Sequence, residues 1–222
     1  MPVGEPEQAF VKNPEDRCPV VLLLDTSGSM EGEPIERLNE GIQLFKEEVQ
    51  KDEVAALRVE AAIVTFGGGV RKIQDFVTID EFAPPELEAG GKTPMGEAIV
   101  TGLDELEDRK QLYKDNGINY FRPWAILMTD GAPTDDVKAA TRRVQEGEDQ
   151  DKHLFFSVGV KGADMETLRE VAPDERPPKK LDGLEFEKFF KWVSDSVKSA
   201  SSGDPGDTKE LGDTGGWEQV EV

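Results

Sequence analysis

Short, unbroken apolar runs alternate along this chain with stretches whose apolar residues recur at helical spacing. Pro19 to Leu24, the centre of Arg58 to Phe66, Trp124 to Met128 and Leu154 to Val160 are apolar at nearly every position. Such runs predict strands buried on both faces, the condition of a parallel sheet covered by helices. Between them, Ile35, Leu38, Ile42, Leu44, Phe45 and Val49 follow a helical period, and Glu33-Pro34 makes a natural first turn. Val70 to Ile79 alternates instead, after the turn Gly67-Gly68-Gly69, and predicts a hairpin to a half-exposed antiparallel edge strand.

Further helices are expected over residues 94–109, 135–149, 164–171 and 186–199, with a polar insertion through Asn119 and an edge strand around Lys180-Leu181. Phe189, Phe190, Trp192 and Val193 give the last helix an aromatic face suited to a core. The alternation predicts an α/β fold: a three-layer, doubly wound, mostly parallel sheet with one antiparallel edge strand. Ligands of such sheets sit outside the carboxyl ends of the strands, where the strand order reverses.

Candidate chemistry lies at those ends. Asp25-Thr26-Ser27-Gly28-Ser29-Met30 follows the first apolar run directly. Alternate residues of an extended segment point the same way, so Asp25, Ser27 and Ser29 can converge as hard oxygen ligands for a small divalent cation, with Gly28 allowing a sharp turn. The same residue types also build ordinary strand-to-helix turns. In Gly90-Gly91-Lys92-Thr93-Pro94, Thr93 is placed as a helix N-cap with Pro94 at the first helical position, and its hydroxyl could turn to a cation. Trp124 to Gly131 is another apolar run delivering an acid, Asp130, at its end, which by itself reads as a turn.

Taken in order, these segments resemble the metal-ion-dependent adhesion site of von Willebrand factor A domains, whose motif is D-x-S-x-S, then a Thr, then an Asp. The matching positions are Asp25, Ser27 and Ser29, then Thr93, then Asp130. Gly32-Glu-Pro-Ile-Glu36, Phe121-Arg-Pro-Trp124, Met128-Thr-Asp-Gly131 and Phe189-Phe-Lys-Trp-Val-Ser194 look like the bacterial tellurite-resistance-associated, TerY-type branch. The resemblance implies a Rossmann-like fold and a bound Mg²⁺, with Mn²⁺ or Ca²⁺ as alternatives. It implies a protein partner whose Asp or Glu completes the coordination sphere, and a setting in tellurite or stress resistance beside kinase-like and phosphatase-like companions.

Composition narrows the classes. The formal charge of −21 argues against nucleic acid as a partner, since that binding needs a basic surface. No stretch approaches the roughly 20 apolar residues that cross a bilayer, and the start lacks the parts of a signal peptide, so no membrane is implied and a cytoplasmic location is expected. The single cysteine, Cys18, is expected to be a small buried residue, and the single histidine, His153, a strand-end residue.

The chain divides into an acidic, flexible extension over residues 1–17, a domain over 18–200 and an acidic tail over 201–222. The tail ends in Trp217-Glu-Gln-Val-Glu-Val222, either a disordered end or a strand-like peptide that docks on a sheet edge. The competing enzymatic reading, metal-dependent phosphotransfer or hydrolysis at the same site, needs a second acid two residues after Asp25. Ser27 stands there, and no phosphate-cradling P-loop or nucleophile elbow occurs, so a binding module and not an enzyme is expected. The sequence specifies no oligomeric state.

Overall fold

The structure, a computed structural model, describes residues 13–160, 162–181, 186–210 and 219–221. Residues 1–12 of the expected extension, and residues 211–218 and 222 of the tail, Trp217 among them, lie outside them. The domain runs β1 (Cys18–Asp25), α1 (Glu33–Gln50), α2 (Glu53–Arg58), β2 (Val59–Phe66), β3 (Val70–Thr78), α3 (Met95–Asp115) and β4 (Trp124–Thr129). It continues through α4 (Lys138–Asp149), β5 (Leu154–Gly159), α5 (Met165–Val171), β6 (Lys179–Lys180) and α6 (Phe186–Ala200).

The six strands pair in the order β3-β2-β1-β4-β5-β6, and only β3 runs antiparallel. This is the mostly parallel, doubly wound sheet expected from the apolar runs. Successive residues of β1 feed opposite layers. Val20, Leu22 and Leu24 pack with Leu38, Ile42 and Phe45 of α1 and Phe190 and Val193 of α6. Val21 and Leu23 pack with Ile99, Leu103 and Leu106 of α3 and Val144 of α4. Each fully buried Leu or Ile of this kind contributes about 1.5–3 kcal/mol. Gly102 lets α3 approach closely, since a Cβ there would stand 2.3 Å from a Leu23 methyl.

Three elements differ from expectation or sharpen it. The helix α2 has no counterpart in the sequence reading; Asp52 caps it by accepting the Val54 and Ala55 amides, each at 3.0 Å. The helix α3 continues to Asp115, into the polar insertion expected after residue 109. Its added turns bury Tyr113, whose hydroxyl donates to Glu60 on β2, so a tertiary contact sustains a segment of polar composition. The aromatic face of α6 lies in the core, as its period predicts.

Two buried carboxylates tie down the end of the sheet where the parallel strands begin. Glu60 is flanked by Arg17 at 3.1 Å and Arg109 at 2.6 Å. Glu148 of α4 meets Arg122 at 2.8 Å, Arg176 at 2.9 Å and the Phe155 amide at 2.6 Å. Nearby, Cys18 is fully buried and its thiol is pushed up to about 12, first by burial and then by Glu60, which makes it an inert core residue. In the tail, β7 (Thr208–Glu210) pairs antiparallel with β8 (Gln219–Glu221) in a ladder separate from the main sheet. Among the described residues no helix is long and apolar enough to cross a membrane.

Candidate metal centre

Strand order reverses between β1 and β4, which are adjacent and parallel, with Leu24 opposite Met128. Their carboxyl ends therefore place Asp25, the last residue of β1, beside Thr129, the last of β4, with Asp130 next in the chain. The Thr129 hydroxyl donates to Asp25 Oδ2, and the Ser27 amide donates to Asp25 Oδ1 at 2.8 Å. Both oxygens are thus oriented by fixed donors, and each keeps a lone pair for another partner.

Alternation along an extended chain holds only as far as Ser27, which has φ −67° and ψ 171°. Ser29 arrives by a different route, inside a one-turn 3-10 helix over Gly28–Met30. Its hydroxyl donates to Asp130 Oδ1 at 2.7 Å and shares a hydrogen bond of 3.0 Å with the Ser27 hydroxyl. Gly28 is not the residue that needs unusual backbone freedom. That requirement falls on Gly91, with φ +82° and a would-be Cβ 2.3 Å from the Gly68 Cα, where two glycine loops pack backbone to backbone. The Gly28 amide donates to the Gly91 carbonyl at 3.1 Å and the Gly90 amide to the Thr26 carbonyl at 2.7 Å, so these loops hold the Ser27–Ser29 turn.

Thr93 does not cap α3, contrary to the expectation from its position. Pro94 occupies the N-cap and makes no side-chain cap. Asp135, from the loop after β4, caps the helix instead, its carboxylate accepting the Gly96 amide at 3.1 Å and the Glu97 amide at 2.8 Å. The Thr93 carbonyl accepts the Met95 and Thr134 amides, at 2.8 and 2.9 Å. The Thr93 hydroxyl is thereby released toward the site. A Cβ built on Gly131 would stand 3.5 Å from Thr93 Oγ1 and 3.7 Å from Ser29 Oγ, which places both hydroxyls around one point. All five candidate residues therefore gather at one place.

Asp25 and Asp130 are both buried, and among the described residues no Lys or Arg forms an ion pair with either. Burial pushes the Asp25 carboxyl above its ordinary range; hydrogen bonds from Thr129 and Ser27 oppose this, and Asp130 adds to it. Lys92 is exposed and makes no ion pair among the described residues. Two carboxylates with three hydroxyls are hard oxygen donors that suit Mg²⁺, and the same donors accommodate Mn²⁺ or Ca²⁺. A divalent ion would supply the missing positive charge. Ser29 is exposed while Ser27 and Thr93 are buried, so the group is open on the Ser29 side. Sequence reasoning missed Thr129 and Asp135. The end-to-end register of β1 and β4 carried a signal for Thr129; Asp135 acts across loops and left none.

The sequence model of the von Willebrand factor type A domain matches residues 20–195, and the chain belongs to that family. No curated protein matches the chain in sequence. Among solved structures, proximal thread matrix protein 1 of the mussel byssus superposes with a TM-score of 0.58 at 17% identity, over 82% of this chain and 48% of that one. The pilus adhesin SpaC of Lactobacillus rhamnosus GG, in its open conformation, gives 0.65 at 14% identity, over 82% and 30%. The ArnB paralog VWA2 from Sulfolobus acidocaldarius gives 0.54 at 15%, over 82% and 45%. The chain thus spans less than half the length of each of these three proteins, and the likeness is one of fold.

Proposed function

Starting from the chain's membership of the von Willebrand factor type A family, we propose that it is a metal-ion-dependent protein-binding module. Asp25, Ser27, Ser29 and Thr93 would hold Mg²⁺, with Asp130 bound directly or through a water. When bound, the ion supplies a Lewis-acidic position that an outside carboxylate can fill. A partner's Asp or Glu approaches from the exposed Ser29 side. The observation that carries this reading is the pair of buried carboxylates, Asp25 and Asp130, joined through Ser29 and Ser27 with no cation paired to them among the described residues.

The finer setting rests on resemblance to the TerY-type branch: a cytoplasmic role in tellurite or stress resistance, with kinase-like or phosphatase-like companions as candidate partners. Two measurements test the core of the proposal. Titration calorimetry should give stoichiometric Mg²⁺ binding to the native chain and none to Asp25→Ala; unchanged binding in that variant would remove the site. A pull-down in Mg²⁺, repeated with chelator, should retain partners only with metal. Turnover of a generic phosphomonoester in Mg²⁺ is expected to be absent, and its presence would favour the hydrolytic alternative.

A further inference from the structure

At the far end of α3, where the parallel strands begin, a cavity of about 310 Å³ lies against Lys110, Lys114, Tyr120, Arg122, Asp151 and Lys152. Four cations and one anion line it, in a chain with 47 acidic residues against 26 Lys and Arg. The sign of the charge is inverted here relative to the molecule as a whole. A helix of 21 residues separates this cavity from Thr93, a span of roughly 30 Å.

The donors are not equivalent. The Arg122 guanidinium is committed to Glu148, to the His153 carbonyl at 3.0 Å and to Asp151 at 2.9 Å. The planar fork that would suit a carboxylate is therefore spent. The buried Lys110 ammonium donates to Glu107 at 2.6 Å and to the Lys152 carbonyl at 3.2 Å, and its third N–H has no acceptor among the described residues. Lys114 and Lys152 are exposed and make no ion pair among the described residues. The Tyr120 ring is fixed at 5.5 Å from Tyr113. At the end of α3 the Asn116, Gly117 and Ile118 amides donate to the carbonyls of Leu112, Tyr113 and Lys114, which offsets part of their negative charge.

What remains is a set of ammonium groups around a phenol, suited to a compact tetrahedral dianion. A phosphate monoester carries about −1.5 to −2 charge and gains from several point cations at once, where a single carboxylate gains from one. Beside the cavity a hollow of about 590 Å³ shares Lys114 and Tyr120 and is lined also by Asp16, Ile118, Asn119, Asp204 and Pro205, giving room for an organic body whose own charge is neutral or positive. We propose that this cavity is a second binding site, distinct from the metal centre, that holds the phosphate group of a phosphorylated ligand between Lys110, Lys114, Lys152 and Tyr120.

The test is a titration of the isotope-labelled full chain with phenyl phosphate, followed by amide shifts at constant ionic strength with chelator present, so that the metal centre does not contribute. Shifts should concentrate at Lys110 to Tyr120 and at Asp151-Lys152. The double variant K114A/K152A, altered only at exposed positions, should bind about tenfold more weakly, whereas K92A at the opposite end should bind as the native chain does. Tighter binding of a phosphoserine peptide than of phenyl phosphate would assign the site to a phosphorylated chain, and the reverse order to a small phosphate ester. Equal binding of a triglutamate peptide, or an affinity unmoved in K114A/K152A, overturns the proposal.

Discussion

Two pairs of buried carboxylates stand at opposite ends of one parallel sheet, and their surroundings differ. Glu60 and Glu148 each have two arginines, with Tyr113 or the Phe155 amide taking up a further lone pair. Asp25 and Asp130 have hydroxyls and an amide, and face one another across Ser29 and Ser27. Desolvation is costly for all four, because a buried carboxylate forgoes water. At the first end the fold supplies the counter-charge itself. At the second, the described residues supply only orientation, and on the proposed reading the positive charge comes from a bound cation. The difference teaches that buried acids at a strand's carboxyl end are informative when the fold withholds cations from them.

The largest effect that tests this contrast is on stability. Glu60→Ala takes the carboxylate from the Arg17 guanidinium, itself 1% exposed, leaving it the Glu15 and Asn13 carbonyls but not this counter-charge, and should cost about 3–5 kcal/mol in chemical denaturation. Asp130→Asn, measured in chelator, should change stability by no more than about 1 kcal/mol, because it removes a buried charge that has the Ser29 hydroxyl but no cation beside it among the described residues. Similar losses at the two ends would mean that Asp130 has a counter-charge after all.

The next effect comes from adding the cation. Mg²⁺ at a hundredfold excess over its dissociation constant should stabilise the native chain by about 2.7 kcal/mol, which in thermal melting is roughly 5–10 °C. The same addition should leave Asp130→Asn and Asp25→Ala where they were. Ca²⁺ and Mn²⁺ titrations then rank the metals. A melting temperature indifferent to all three ions in the native chain would remove the metal from the proposal.

The arginine-rich end should respond to an added cation in the opposite sense. His153 is buried there, and burial, together with Lys110 and Arg122, pushes its imidazole down to about 3. It is therefore neutral in the folded chain, while in the unfolded chain it titrates near 6.5. Between those values the unfolded state binds more protons, so this contribution is whole above pH 6.5 and is lost as pH falls toward 3. The slope is at most about 1.4 kcal/mol per pH unit. His153→Gln should flatten the fall in stability between about pH 6 and 4 by close to one proton. Parallel pH profiles for the two proteins would show that His153 is not held neutral.

Much of this architecture was legible because β1, β2, β4 and β5 are buried on both faces, which leaves an unmistakable apolar run in the sequence. The antiparallel β3 was legible for the complementary reason: one half-exposed face forces alternation. What escaped was set by contacts distant in sequence. The last turns of α3 are polar in composition and are held by Tyr113 against Glu60. Of the candidate site, Asp25, Ser27, Ser29, Thr93 and Asp130 were nameable from motif and order, but the route of Ser29 through a helical turn was not. Nor was it legible that Asp135 and not Thr93 caps α3, since the sequence neighbourhood of Thr93 is that of a cap.

That misreading identifies the smallest and most local prediction. Asp135 caps α3 from the loop that follows Asp130, and the Thr134 amide binds the Thr93 carbonyl. The loops carrying Thr93 and Asp130 are thereby fastened to each other, although Asp135 is not itself one of the five candidate ligands. Asp135→Ala should cost about 1 kcal/mol of stability, the usual worth of a lost cap. If the cap also fixes the metal site, Mg²⁺ affinity should fall as well, because the Thr93 hydroxyl is no longer held opposite Ser29. Asp135→Asn, which keeps one acceptor oxygen, should recover part of both losses. A variant that loses the stability but keeps the full Mg²⁺ affinity would assign Asp135 to the helix alone, and would mean that Thr93 is positioned by its own loop and the glycine contacts behind it.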